Sequence, residues 1–276
     1  MSIGFIGTGN MGRILIEAFL EAEAVDPSSV YVTNRTLKKA YHIQSEYPAI
    51  RVCENAKQLA ASCSIIFLCV KPLDLHPLVT GLSSYLTDEH CLVSITSPVT
   101  ARQLEAISPC QTARVIPSIT NRALSGVSLF TFGESCSIEN RTELLRLFHS
   151  ISEPVLIEEA VTRAASDIVS CGPAFFSYLL QRFTDAAALE TPITKDTAVQ
   201  LASGMIIGMG KLIEKGHYTL PGLQEKVCVK GGVTGEGISV LERELGDVFQ
   251  QLFRKTHEKF DEDLTLVGDQ FKSHQK

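Results

Sequence analysis

The chain has 276 residues, 45% of them hydrophobic and 20% charged, with a net charge of −6, which leaves room for two domains of ordinary globular composition. The acidic balance excludes an extended nucleic-acid-binding face, no apolar run is long enough to cross a bilayer, and the N-terminus lacks a basic leader or cleavage site, so a cytoplasmic protein is expected. The eight cysteines form no C-x-x-C pair and the seven histidines show no metal-ligand spacing; reduced, mostly buried thiols and no metal site are expected.

Short apolar runs alternate with helical periodicity through the first 160 residues or so. Residues 2–7 read as a strand, and 11–24 as a helix with Ile14, Leu15, Ala18 and Phe19 on one face. Residues 30–33 form a second strand, 37–47 a helix stopped by Pro48, and 64–70 an almost wholly apolar strand, with further strands at 91–95, 112–116 and 127–132. Strands apolar on both faces with helices between them predict an α/β fold, an N-terminal Rossmann domain with a doubly wound, mostly parallel sheet over residues 1–161. From residue 162 to 276 strand signals vanish, and helices are expected at 162–169, 173–191, 195–215, 221–228 and 235–267, with a polar tail fraying from Asp269. Gly204, Gly208 and Gly210 share one of these helices. Each costs about 1 kcal/mol of helix propensity, which predicts tight packing against another helix. The all-helical half is therefore read as a dimerisation and substrate domain, giving a homodimer or higher homo-oligomer.

Gly7-Thr8-Gly9-Asn10-Met11-Gly12 is G-x-G-x-x-G in its required setting, after an apolar strand and before an amphipathic helix. Gly7 allows the tight turn, Gly9 lets the backbone approach a pyrophosphate, and Gly12 lets helix and strand pack closely. The bare helix N-terminus supplies N–H groups and positive dipole. The first forty residues thus read as a dinucleotide-binding βαβ unit. Where an NAD site places an Asp or Glu, the second strand ends in Asn34-Arg35-Thr36. Arg35 would pair with a 2′-phosphate and its neighbours would donate hydrogen bonds, so NADP(H) is the expected cofactor and NAD(H) the alternative. Val70-Lys71-Pro72 ends the third strand at the edge that borders the ligand crevice. In the helical half, Lys230-Gly231-Gly232-Val233-Thr234 breaks one helix before the next, and consecutive N–H groups there form a nest suited to a small carboxylate.

These pieces together resemble the pyrroline-5-carboxylate reductase family nearly end to end. Residues Phe5 to Gly12 match its opening motif, Val70-Lys71-Pro72 its post-strand motif, Ser170-Cys171-Gly172-Pro173-Ala174-Phe175 its G-S-G-P-A-Y segment, and Gly231-Gly232-Val233-Thr234 with Leu241-Glu242 its S-P-G-G-T-T segment and following helix. The stretches Ile116 to Arg122 and Cys228 to Gly237 are more similar still to the late-competence ComER-type members. The resemblance implies an NAD(P)H-dependent reductase that makes L-proline from a small imino-acid substrate, with a Rossmann domain followed by a helical dimerisation domain. It further implies that the substrate carboxylate sits on the nest backbone at the dimer interface and that Thr234 bonds the ring nitrogen.

Departures cluster away from the cofactor loop. The family's S-P is Val229-Lys230, its first nest threonine Val233, its M-P-N-T-P Ile116-Pro117-Ser118-Ile119-Thr120, its A-A-G Thr96-Ser97-Pro98, and its G-S-G-P Ser170-Cys171-Gly172-Pro173. Two other functions remain open: a non-catalytic NADP-binding protein acting in competence development, and a hydroxyacid dehydrogenase of the 6-phosphogluconate type. The last requires a helix lysine in G-x-x-x-K followed by asparagine, and residues 170–178 contain neither.

Overall fold

The computed structural model describes residues 1–272. These divide into two compact units, Met1–Pro173 together with the stretch from Lys255 onward, and Ala174–Arg254.

The first unit is a Rossmann fold. Its strands are β1 (Ile3–Ile6), β2 (Val30–Thr33), β3 (Arg51–Val52), β4 (Ile65–Leu68), β5 (Cys91–Ser94), β6 (Gln111–Ile116), β7 (Val127–Phe132) and β8 (Glu153–Leu156). They lie in the order β3-β2-β1-β4-β5-β6-β7-β8. Every pairing is parallel except β6 with β7. The order in which successive strands are added reverses between β1 and β4, which opens a crevice at their carboxyl ends. The order follows from composition: β1, β4 and β5 are buried throughout, as strands covered on both faces must be.

Alternation along the strands builds two cores. Ile65 and Phe67 point into one, with Leu15 and Phe19 of α1 (Asn10–Glu21), Ala40 and Ile43 of α2 (Leu37–Glu46), and Phe148 of a later helix. There Phe5 stacks on Phe67 at 4.9 Å and Phe19 meets Phe148 edge-on at 5.2 Å. Ile66 and Leu68 point into the other, with Leu59 of α3 (Ala56–Ala60), Leu75 and Val79 of α4 (Pro72–Leu82) and Leu104 of α5 (Ala101–Glu105). The remaining helices are α6 (Ile138–His149), α7 (Thr162–Ser166), α8 (Gly172–Glu190), α9 (Lys195–Glu214), α10 (Leu220–Val227), α11 (Val233–Glu244) and α12 (Val248–Lys272).

Several sequence expectations change. The polar tail does not fray from Asp269: α12 runs to Lys272 because Val267 and Phe271 are buried in the second core, and residues 273–276 lie outside the described residues. The helix expected over 235–267 is two helices, broken at Gly246, whose φ of +52° is the left-handed conformation that ends a helix. Conversely, α7 and α8 are joined by a π turn over Asp167–Cys171 rather than separated. Strands β3 and β8 lacked a readable signal: the first has two residues and the second is largely exposed.

The second unit comprises helices with little core of their own; Ala198 and Ala202 are among its few buried side chains. The packing predicted for the glycine helix is not found among the described residues. A Cβ added at Gly204, Gly208 or Gly210 meets nothing within 4 Å, and Leu201, Met205 and Ile207 beside them are exposed.

Candidate functional site

The glycine loop bridges β1 and α1. The Gly7 N–H donates to the Thr33 carbonyl at 2.9 Å, and that of Cys69 to the Ile6 carbonyl at 2.8 Å, so the ends of β1, β2 and β4 converge. Gly7 has φ +103°, and a Cβ there would stand 2.3 Å from the Cys69 carbonyl oxygen. A Cβ at Gly12 would stand 2.3 Å from the Gly7 carbonyl oxygen. Gly9 differs: its Cβ would project into open space, with nothing inside 4 Å. The three glycines therefore do separate things. Two permit close packing of the fold, while Gly9 keeps an open cradle beside the N-terminus of α1. Thr8 is buried, its N–H donates to Asn34 Oδ1 at 3.1 Å, and its Oγ1 has no hydrogen-bond partner among the described residues. Asn10 and Met11 open α1 as its first turn.

A cleft of about 720 Å³ lies at this edge of the sheet. Four helices begin on it; those that start after Gly9, Thr36 and Lys71 have no side-chain cap, whereas Asn55 caps α3. The N-termini of α1 and α2, uncapped by side chains, favour an anion in this cleft, whereas α4 opens with Pro72 and puts the Asp74 carboxylate on the same cleft. Arg35 and Thr36 are exposed on its rim, and Val70 and Lys71 form part of its wall, while Pro72 fills the first helical position of α4. Asn34 lines the cleft and also braces the loop: Oδ1 accepts from the Thr8 N–H, and Nδ2 donates one of its two hydrogens to the Thr36 carbonyl at 3.1 Å.

Sequence reasoning missed Lys39, Asn55 and Asp74 on the same cleft. Lys39 stands one helical turn after Arg35, a spacing that could have revealed it. Asn55 follows β3, which was itself invisible, and caps α3 through Gln58. Cys69 backs the loop, and burial pushes its thiol well above the usual range, so it stays neutral. The open cradle, the orphaned Thr8 hydroxyl and the cations beside bare helix ends fit a dinucleotide carrying an extra phosphate.

In the second unit, Gly231 has φ +76°, and the Gly232 N–H turns back to the Val229 carbonyl at 2.9 Å. This turn opens α11 with no capping side chain. Val233 and Thr234 occupy the first turn, where helix geometry offers no carbonyl to their N–H groups. Lys230 and Val233 are exposed, and Thr234 is half-buried. The arrangement can hold one small anion, and Glu236 places a carboxylate in the same turn.

A buried polar assembly went unread. Arg114 of β6 is fully buried; it donates to both Glu159 carboxylate oxygens at 2.8 and 2.9 Å, to the Ser97 carbonyl, and to the hydroxyls of Thr131 and Thr162. Close by in sequence, Arg163 pairs with buried Asp167 at 2.8 Å, and Thr256 donates to the other carboxylate oxygen at 2.6 Å. A charged residue inside the apolar run 112–116 was the available signal.

Residues 159–263 match the family described as pyrroline-5-carboxylate reductase dimerisation. Residues 2–98 match the one described as NADP oxidoreductase, coenzyme F420-dependent. ComE operon protein 4 of Bacillus subtilis is 56% identical over 271 residues, spanning 98% of this chain and 99% of that protein. Pyrroline-5-carboxylate reductase 3 of the same organism is 29% identical over 97% of this chain and 98% of its own length. The Plasmodium falciparum pyrroline carboxylate reductase, solved with NADP bound, has the same fold at a TM-score of 0.81, with 20% identity over 97% of this chain and 98% of that one.

Proposed function

Because this chain belongs to the pyrroline-5-carboxylate reductase family, we propose that it is an NADP(H)-dependent reductase of a cyclic imine carboxylate, with 1-pyrroline-5-carboxylate and L-proline as substrate and product. The observation that carries the reading is the bared N-terminus of α11, behind the positive-φ Gly231, on a chain that also holds an open dinucleotide cradle.

The bound cofactor supplies hydride. The chain's own work is to bind and orient. Gly9 and the first turn of α1 hold the pyrophosphate, and Arg35, Thr36 and Lys39 hold the 2′-phosphate. The N–H groups of Val233 and Thr234 hold the acceptor's carboxylate, and the Thr234 hydroxyl orients its ring nitrogen. A protonated imine already attracts hydride, so no catalytic His or Lys is required. Proximity and orientation can supply about 7–11 kcal/mol of the barrier. Having valine at 233 in place of the family's threonine forgoes about 0.5–1.5 kcal/mol if that hydroxyl made an ordinary hydrogen bond. Lys230 suits an acceptor with a further acidic group. The uncovered glycine helix and its exposed apolar neighbours support assembly with a second copy.

Purified protein, NADPH and pyrroline-5-carboxylate should show loss of the reduced nicotinamide absorbance, and Thr234→Val should slow it about ten-fold. No loss above background rejects this substrate. A second reading, a non-catalytic NADP(H)-binding protein in competence development, draws on the 56% identity to ComE operon protein 4. It requires cofactor binding without turnover and an unimpaired Thr234→Val variant in cells.

A further inference from the structure

Pro173 sets the local problem. It has no N–H, so in the helical run from α7 into α8 the carbonyl four residues earlier, Val169, loses its donor, and the proline ring crowds it. The helix responds by widening into the π turn over Asp167–Cys171. The stranded carbonyl is satisfied from elsewhere: Ser118 Oγ donates to the Val169 oxygen at 2.8 Å. The bond is returned one residue on, where Ser170 Oγ donates to the Pro117 oxygen at 2.8 Å. Two hydrogen bonds of opposite direction thus join the loop after β6 to the π turn.

The β6 side of this clasp is itself held firm. The buried Ser118 donates its N–H to Asn121 Oδ1 at 2.8 Å and accepts the Thr120 hydroxyl at 2.9 Å. Arg114 fixes the neighbouring loop after β5 through the Ser97 carbonyl at 3.0 Å. Both loops leave the carboxyl edge of the sheet on the β4-β5-β6 side of the reversal. In a doubly wound sheet one nucleotide lies on each side of that reversal. With the adenosine phosphates on the β1-β2 side, the loops after β5 and β6 floor the nicotinamide half.

Ser118 stands where the family pattern has asparagine and Ser170 where it has glycine. The two departures are far apart in sequence, yet each hydroxyl donates to the carbonyl of the residue just before the other, Ser118 to Val169 and Ser170 to Pro117. We propose that Ser118 and Ser170 are paired positioning residues that fix the floor of the nicotinamide half of the site, so that the altered segments are a matched replacement and not a decayed one. The proposal rests on the dinucleotide reading of the cleft.

Calorimetric titration with NADPH and with 2′,5′-ADP, which carries only the adenosine phosphates, separates the two halves. Ser118→Ala and Ser170→Gly should each weaken NADPH about two- to ten-fold, leave 2′,5′-ADP within about two-fold, and alter the fluorescence of bound NADPH. Ser170→Thr, which keeps the hydroxyl, should restore all three, and the 2′,5′-ADP affinity reports that each variant is folded. Equal loss on both ligands, or no change on either, overturns the pairing while leaving the cofactor reading intact. Failure of the unaltered protein to bind either ligand overturns the cofactor reading and the pairing with it.

Discussion

Gly12 lies against Gly7 so closely that a Cβ on the first would come within 2.3 Å of the carbonyl oxygen of the second, whereas Gly9 between them faces open space. The same motif therefore contains two glycines at which a Cβ would clash with backbone and one at which it would face open space. Gly9 has φ −73° and ψ −169°, which any residue can adopt. Gly9→Ala should keep its unfolding free energy within about 0.5 kcal/mol while losing NADPH binding. Gly12→Ala should lose binding and also about 1–3 kcal/mol of stability, since backbone must move. Thermal melts with NADPH calorimetry test both, and wild-type binding by Gly9→Ala would show that the cradle is not where the phosphates sit.

Arg35 and Lys39 are exposed on the cleft beside the uncapped start of α2. A charge-assisted hydrogen bond is worth about 1.5–3 kcal/mol. Arg35→Glu should therefore weaken NADP⁺ at least ten-fold, since it adds repulsion to that loss, and change NAD⁺ much less. Lys39→Ala should act in the same direction more weakly. Competitive titration of the two nucleotides gives the ratio; equal losses on both would remove Arg35 from the 2′-phosphate.

Arg114, fully buried, shares the four hydrogens of its two terminal nitrogens among five acceptors. Arg114→Met strands the Ser97 carbonyl and leaves two threonine hydroxyls without an acceptor role, while Glu159, with a half-exposed side chain, can turn to water. The expected loss is about 2–3 kcal/mol, near 1 kcal/mol for each neutral bond. Glu159→Gln leaves the buried guanidinium without its carboxylate and should cost about 3–5 kcal/mol. Denaturant melts distinguish the two, and a neutral Arg114→Met would contradict the assignment.

Burial pushes the Cys63 thiol up from 9.0 to about 12 and that of Cys110 up from 9.0 to about 11. The folded protein therefore holds these protons more tightly than the unfolded chain does. Their contribution to stability is fully present below pH 9 and is lost as pH rises through 11 to 12. Melting temperature measured from pH 8 upward should fall less steeply in Cys63→Ala than in the unaltered protein. Neither thiol should react with a disulfide reagent at neutral pH until the chain is unfolded.

The sequence alone determined whatever depends on local order. Short apolar runs placed β1, β2 and β4, 3.6-residue periodicity placed α1, α2, α8 and α9, and G-x-G-x-x-G before α1 needs no distant partner to be recognised. The Arg35 position was legible because it follows directly on a strand end. Tertiary structure decided what depends on contacts across the chain. It divided labour among Gly7, Gly9 and Gly12, turned Asn34 inward to brace Thr8, and carried α12 through Phe271 into the core. It also brought Ser118 to Val169. The physical reason is the same in each case. A missing N–H at Pro173 can be read from one residue, but which hydroxyl meets the stranded carbonyl depends on how strands and helices from opposite ends of the domain are stacked.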